Sequence, residues 1–270
     1  EQPAETIVVT DDTWLARNSE YTRISDWMSG RYGGEEVSGN LETQHLPFTE
    51  PEKLTWDRAS VVEVPEHTVT PQTVEPNRIT KEVGPSSIDR LNDSTFLVDM
   101  GTTLAGWFEI TFPQLKNKQR VVLEYSDHLD ENGQIVHQGQ TDRYIASGSN
   151  TEFFRNRFNY HGFRYVKISN LYEAPKPASV KAYLIHTDFE PISGFECSDT
   201  DLNRIHDMVL YTLKCLGLGG YLVDCPQIER LGYGGDGNAS TVTAQTMFNL
   251  APLYSNWLDA WWDVIREDGS

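Results

Sequence analysis

The sequence predicts a β-rich chain in which an antiparallel β-sandwich is followed by helices, and three observations carry that expectation. Between residues 94 and 190, β-branched and aromatic residues gather in short runs separated by turn residues, with no helical period. Beyond residue 200 the apolar residues switch to steps of three and four. The chain has 270 residues, 38% of them apolar, which is enough to bury real cores. At roughly 100–200 residues per domain, more than one domain is expected.

Residues 1–63 read as part of an accessory β-domain. Residues 6–9 begin as a strand, and Gly30, Gly33, Gly34 and Gly39 punctuate short apolar segments. Trp14, Trp27 and Trp56 are too widely spaced for a repeat and are expected to plug a small core. The second unit, 64–193, opens with Pro65, Pro71, Pro76 and Pro85. Proline lacks the ladder donor, so 64–85 should be a linker or edge strands. Strands are then expected at 96–98, 107–112, 120–125, 163–168 and 180–185, with Asp130, Glu131, Asn132 and Gly133 forming a hairpin turn.

The third unit, 194–270, is helical. Leu202, Ile205, Val209, Leu213 and Leu216 mark a first helix, with Ser198 or Asp199 available as its cap. A second helix is expected over 239–248. A third carries Leu253, Tyr254, Trp257, Leu258, Trp261, Val264 and Ile265 on one face, with Pro252 near its first position, where a missing donor costs little. A long glycine-rich loop, 217–237, joins the first two. Neither end reads as a natural terminus, so the sequence is expected to be a piece of a longer protein, and the lack of a leader says nothing about export.

Charge excludes some functions. Forty acidic residues against 22 basic give a net charge of −18, and no basic run offers the footprint that nucleic acid requires. No apolar stretch approaches the ~18 residues of a membrane span. Cys197, Cys215 and Cys225 are odd in number and lack CxxC spacing, which supports neither a disulfide framework nor a zinc site. The thiols leave the compartment open; a periplasmic or secreted location is expected over a cytoplasmic one.

Several motifs reduce to structure. Gly232, Gly234 and Gly237 match a dinucleotide fingerprint, but no strand precedes them and Asp236 would repel a pyrophosphate. Asp127, Asp130 and Glu131 miss the alternating offsets of a calcium loop, and a hairpin explains them. His161 reads as a packed strand-end residue, and His206 has no ligand partner four residues away.

The segment 224–236 is different. Asp224, Glu229 and Asp236 lie within thirteen residues, joined by Arg230 and Tyr233. Carboxylates on one loop can divide their labour: one stays protonated and donates, while the others stay ionised and accept from sugar hydroxyls. Tyr233 could stack on a pyranose face, and the glycines could bring ligand and main chain close. A solvated acidic loop is the competing reading.

With Val98 to Gly101, Leu104 to Trp107, Tyr160 to Tyr165, Gly194 to Asp199 and Leu202 to His206, this loop resembles glycoside hydrolase family 78, the bacterial-type α-L-rhamnosidases. The likeness covers residues 95–270 and is fainter in 1–63. It implies that the helices open an (α/α)6 catalytic barrel. It also implies inverting hydrolysis of terminal α-L-rhamnose from a glycoside or polysaccharide, with Glu229 as general acid. Asp224, Tyr233, Asp236 and Arg230 would then be the sugar-binding residues. No metal or cofactor is implied.

Two departures stand out. Ile228 sits where many relatives carry Arg, in a loop one residue shorter, and no residue here matches the family's general base. The 270 residues are therefore expected to be inactive alone. A non-catalytic sugar-binding or scaffold piece, and a barrel glycosidase acting on another sugar, are the alternatives.

Overall fold

A computed structural model describes residues 8–28, 31–42, 56–63 and 70–269. Pro65, Gly30 and the side chain of Trp27 lie outside them. Val8 and Val9, the described part of the expected first strand, are exposed and unpaired in any ladder. Trp14 is 46% exposed, so it plugs no core, whereas Trp56 lies half-buried beneath the Arg17 guanidinium.

The early elements are β1 (Leu15–Ala16), β2 (Tyr21–Met28), β3 (Arg31–Ser38), the single turn α1 (Gly39–Glu42) and β4 (Asp57–Arg58). β1 pairs with β4, while β2 and β3 form a hairpin. Then come β5 (Asn77–Val83), β6 (Ser87–Asn92), β7 (Thr95–Phe112), β8 (Arg120–Ser126), β9 (Thr141–Ile145), β10 (Glu152–Arg155), β11 (His161–Ser169) and β12 (Val180–Thr187).

These build a ten-stranded sheet in the order β2-β3-β9-β8-β11-β7-β12-β5, with β6 and β10 also pairing with β7. All described pairs in it are antiparallel except β3–β9, which is parallel and runs the sheet across residue 63. β5 is an edge strand bracketed by Pro76 and Pro85, where a missing donor is harmless.

The runs at 96–98 and 107–112 are one 18-residue strand, not two. Gly101 takes a positive φ of 73° and donates its N–H to Asp99, so the strand bends there without ending. The first half of β7 pairs with β6 and β11, the second with β12 and β10. Both halves feed one core that includes Phe96, Val98, Leu104, Phe108, Leu123, Tyr125, Phe163 and Val166. At the expected hairpin, Asp130 accepts from the N–H groups of Asn132 and Gln134, and Gly133 has φ 72°.

The remaining elements are β13 (Glu190–Pro191), α2 (Thr200–Leu216), α3 (Gly234–Met247), β14 (Phe248–Asn249) and α4 (Ala251–Trp262). Asp199 is the cap of α2, accepting from the N–H groups of Asp201 and Leu202. Of the apolar stripe expected to pack, Leu213 is buried but Leu202 and Ile205 are about half exposed; periodicity reports a stripe, not what covers it. α2 meets the sheet through Tyr211, whose hydroxyl donates to the Thr103 carbonyl, and through Cys215.

α3 begins five residues earlier than expected, at Gly234, taking Asp236 into its first turn. α4 ends at Trp262, leaving Val264 and Ile265 beyond it. A second core of Phe189, Leu213, Leu222, Met247, Leu253 and Trp257 lies under these helices. β13 and β14 pair, tying the segment after the sheet to the end of α3. No helix among the described residues is long and apolar enough to cross a membrane.

Candidate functional site

The segment from Gly217 to Tyr233 leaves the end of α2 and closes on itself before entering α3. Asp224 does most of the closing. Its N–H donates to the Leu231 carbonyl at 2.9 Å, and its Oδ1 accepts from the Leu231 N–H at 2.9 Å. The Arg230 N–H reaches the Cys225 carbonyl, and the Glu229 N–H points at the Cys225 sulfur. These contacts make 224–231 a compact loop with Glu229 near its end.

The Cys225 thiol donates to Asp224 Oδ2 at 3.1 Å. Burial pushes the Asp224 pKa up, but that thiol and the Leu231 and Cys225 N–H groups outweigh it and hold the carboxyl below its usual range. Asp224 is therefore an ionised acceptor at neutral pH. Burial, reinforced by the adjacent carboxylate, raises the Cys225 thiol, which stays a neutral donor.

Asp224 and Asp236 line one cavity of about 270 Å³ together with Leu222, Val223, Ala239 and Ser240. Asp236 sits in the first turn of α3, where the positive end of the helix dipole favours a carboxylate. Tyr233 is the N-cap residue of α3, and its hydroxyl donates to Glu229 Oε2 at 2.7 Å. That hydrogen bond, with the Glu229 charge behind it, raises the Tyr233 pKa, and the Asp224 charge adds to it. The structure thus brings Asp224 and Asp236 to one cavity and pairs Glu229 with Tyr233 on the same loop.

Arg230 goes the other way. Only 1% exposed, it donates Nε–H to the Pro226 carbonyl at 2.6 Å, Nη1–H to Asn159 Oδ1 and Nη2–H to Gln140 Oε1, both at 3.0 Å. Its guanidinium lies 4.3 Å from the centroid of the Tyr160 ring. Burial lifts the Tyr160 hydroxyl to a pKa of about 12, against the opposing pull of the Arg230 charge.

Two glycines of this segment pack against aromatic rings. A Cβ on Gly234 would lie 2.4 Å from the Trp261 ring, and one on Gly237 2.8 Å from that of Trp257. They leave room for indole faces against α3. Gly162 does the same for the loop itself, since a Cβ there would stand 2.8 Å from the Gln227 backbone nitrogen.

Behind this contact is a buried polar cluster that residue patterns left unread. Asp142 Oδ2 meets His161 Nε2 at 2.8 Å, both fully buried, and accepts from Asn156. His161 stacks on Tyr125 as a packed strand-end residue. Glu35 accepts from the N–H groups of Arg157, Phe158 and Asn159. Burial first and the Asp142 charge second raise the Glu35 pKa despite those donors. A cavity of about 400 Å³ beside it, lined by Tyr21, Arg23 and Phe158, is larger than that of the loop, but its carboxylate is already engaged by backbone donors. Among the described residues, no group of three His, Cys, Asp or Glu side chains is placed to hold a metal.

Two family models match the chain: the bacterial alpha-L-rhamnosidase concanavalin-like domain over residues 89–186, and the bacterial alpha-L-rhamnosidase 6 hairpin glycosidase domain over 190–270. An alpha-L-rhamnosidase of Formosa agariphila is 25% identical over 260 residues, covering 93% of this chain and 27% of the relative. The alpha-L-rhamnosidase structure from Dictyoglumus thermophilum superposes with a TM-score of 0.82 at 26% identity, over 97% of this chain and 30% of that one. The Streptomyces avermitilis alpha-L-rhamnosidase complexed with L-rhamnose gives 0.66 at 27% identity, over 73% and 20%. The chain therefore spans less than a third of the length of these relatives.

Proposed function

Because this chain belongs to the bacterial α-L-rhamnosidases of glycoside hydrolase family 78, we propose that the protein carrying it removes terminal non-reducing α-L-rhamnose, with Glu229 as general acid in an inverting reaction. The observation that carries the reading is the Glu229–Tyr233 pair set on the same loop as the Asp224–Asp236 cavity. That cavity suits one sugar ring rather than a chain of them. Ionised Asp224, with Asp236 beside it in the cavity, would accept from rhamnose hydroxyls, charge-assisted bonds being roughly twice as strong as neutral ones.

Tyr233 holds one oxygen of Glu229, which frees the other for the glycosidic oxygen. Inversion needs a second carboxylate about 6.5–9.5 Å away, with water between the two. None of the 270 residues is assigned to that base, so this stretch by itself is proposed to be inactive. In the same reading α2 to α4 open an (α/α)6 barrel spanning 194–270 and beyond, which supplies a cover for Leu202, Ile205, Trp261 and Trp262, all exposed here. Residues 64–193 hold most of the sandwich and β2 and β3 extend its sheet, so only the rest of 1–63 is left to an accessory domain.

Glu229→Gln in the full-length protein tests the assignment. General acid catalysis contributes about 10²–10⁴-fold, so kcat/KM on phenyl α-L-rhamnoside should fall by about that factor, with loss of the alkaline limb of the pH profile. Turnover near the wild-type rate overturns the assignment. NMR of the first-formed sugar should show β-L-rhamnose; the α anomer first would overturn inversion.

A further inference from the structure

Arg230 adjoins Glu229 in sequence yet faces the sheet domain, and its backbone is unusual. Its φ is 58°, the left-handed region, at a bulky residue that gains nothing there intrinsically. Such conformations are strained and persist only where the surroundings over-determine them. What over-determines this one is its own side chain: the guanidinium fork reaches Pro226 of its own loop and Gln140 and Asn159 of the sheet domain, with Tyr160 beneath it.

The socket is itself rigid. Gln140 is fully buried, and its amide exchanges two hydrogen bonds with the Gly162 backbone, giving Nε2–H to the carbonyl and accepting the N–H at Oε1. That fixes which end of the amide faces Arg230. Asn159 is held likewise: Oδ1 accepts from the Tyr160 N–H, Nδ2–H reaches the Gly33 carbonyl, and its own N–H is taken by Glu35.

We propose that Arg230 is a positioning residue rather than a sugar ligand, a plug in a socket built by Gln140, Asn159 and Tyr160 that sets the left-handed turn and thereby aims the Glu229 carboxyl. The sheet domain then takes part in catalysis by holding the acid in place. This rests on Glu229 being the general acid. Acid assistance matters most when the leaving group is poor, so misaiming Glu229 leaves a signature that lost sugar affinity or general loosening does not.

The test uses the full-length protein and a series of aryl α-L-rhamnosides whose leaving phenols range from dinitrophenol to phenol. Arg230→Lys keeps the charge but loses the planar fork. It should lower kcat/KM about 100-fold on the phenyl glycoside and less than about fivefold on the dinitrophenyl glycoside, with the inhibition constant of free L-rhamnose within twofold of wild type. Asn159→Ala should give the same pattern at about tenfold on the phenyl glycoside. If Arg230→Lys does not fold, Asn159→Ala carries the test.

An equal loss on every substrate overturns the proposal, and so does tenfold weaker rhamnose binding, which would make Arg230 a ligand. Glu229→Gln run on the same series separates the two claims. If it steepens the leaving-group dependence and the socket variants do not, the positioning role fails alone. If Glu229→Gln leaves the dependence flat, the general-acid reading has failed.

Discussion

Gly162→Ala probes the contact between sheet and loop with a single methyl group. The backbone at Gly162 is not left-handed, and its two bonds to Gln140 use main-chain atoms, so alanine removes no hydrogen bond. What it adds is a Cβ 2.8 Å from the Gln227 nitrogen, 2.9 Å from the Pro226 carbonyl carbon and 3.1 Å from the Gln227 Cβ. Ordinary contact begins at 3.4 Å, and the first two atoms are backbone, which cannot swing aside like a side-chain tip. The loop must therefore retreat by about 0.6 Å. Because 224–231 is cross-bonded, it moves as a unit, and Glu229 lies two residues from the contact.

A misplacement of about 1 Å costs about 10²-fold in rate, so a 10- to 100-fold fall in kcat on the phenyl glycoside is expected. Overpacking should add about 1–3 kcal/mol of destabilisation. Steady-state kinetics and thermal unfolding of the full-length protein read the two effects separately. Wild-type kcat alongside a clear loss of stability would refute the coupling of contact to acid. Wild-type values of both would refute the contact itself.

Two further predictions concern the frame. Asp199→Ala removes the side-chain cap of α2 and should cost about 1 kcal/mol; amide exchange at Asp201 and Leu202 should accelerate about fivefold, and unchanged protection would contradict the cap. Asp99→Asn breaks the two-pronged pair with Arg164, at 2.8 and 2.9 Å, which with the Gly101 N–H holds the Asp99 pKa below its usual value. A lowered folded-state pKa stabilises above the unfolded value near 3.8, and that contribution is lost as pH falls through the folded one. The gap between wild type and variant, about 0.5–1 kcal/mol at pH 7 for so exposed a pair, should therefore shrink towards pH 3 in urea unfolding. A gap constant with pH would refute it.

What the residues foretold was local. The cap and period of α2 and the Asp130 turn are decided within a few residues, and each is visible without knowing the fold. β9 and β10 were not foreseen, and the cause is specific. Asp142 and Glu152 are buried on them, and a charge inside a short run reads as loop because unpaired carboxylates are rarely buried. Here they are paired: Asp142 with His161 and Asn156, and Glu152 with the N–H groups of Ser147 and Gly148. The two runs at 96–98 and 107–112 look separate because Gly101 and Gly106 lie between them, yet they form the single strand β7. Pairing with β11, some sixty residues on, keeps it extended.

The same distinction divides the site. Glu229 and Tyr233 meet across one turn, so their spacing already hints at the contact. Arg230 finds its amide acceptors 71 and 90 residues back in the chain, and nothing within the loop announces them. Reading Arg230 as another ligand follows naturally from its place in an acidic cluster. A guanidinium, however, offers five donors in a fixed plane and suits amide oxygens at three compass points as well as it suits a sugar. Its burial against a rigid amide pair is the observation on which the proposed positioning role rests. Adjacent residues on one short loop thus part company, Glu229 to Tyr233 at the start of α3 and Arg230 to the sheet, and the turn at Arg230 between them is left-handed. On the proposed reading, relaxing that turn would unseat Arg230 and misaim Glu229 in one movement, which is why the leaving-group series is run on both residues.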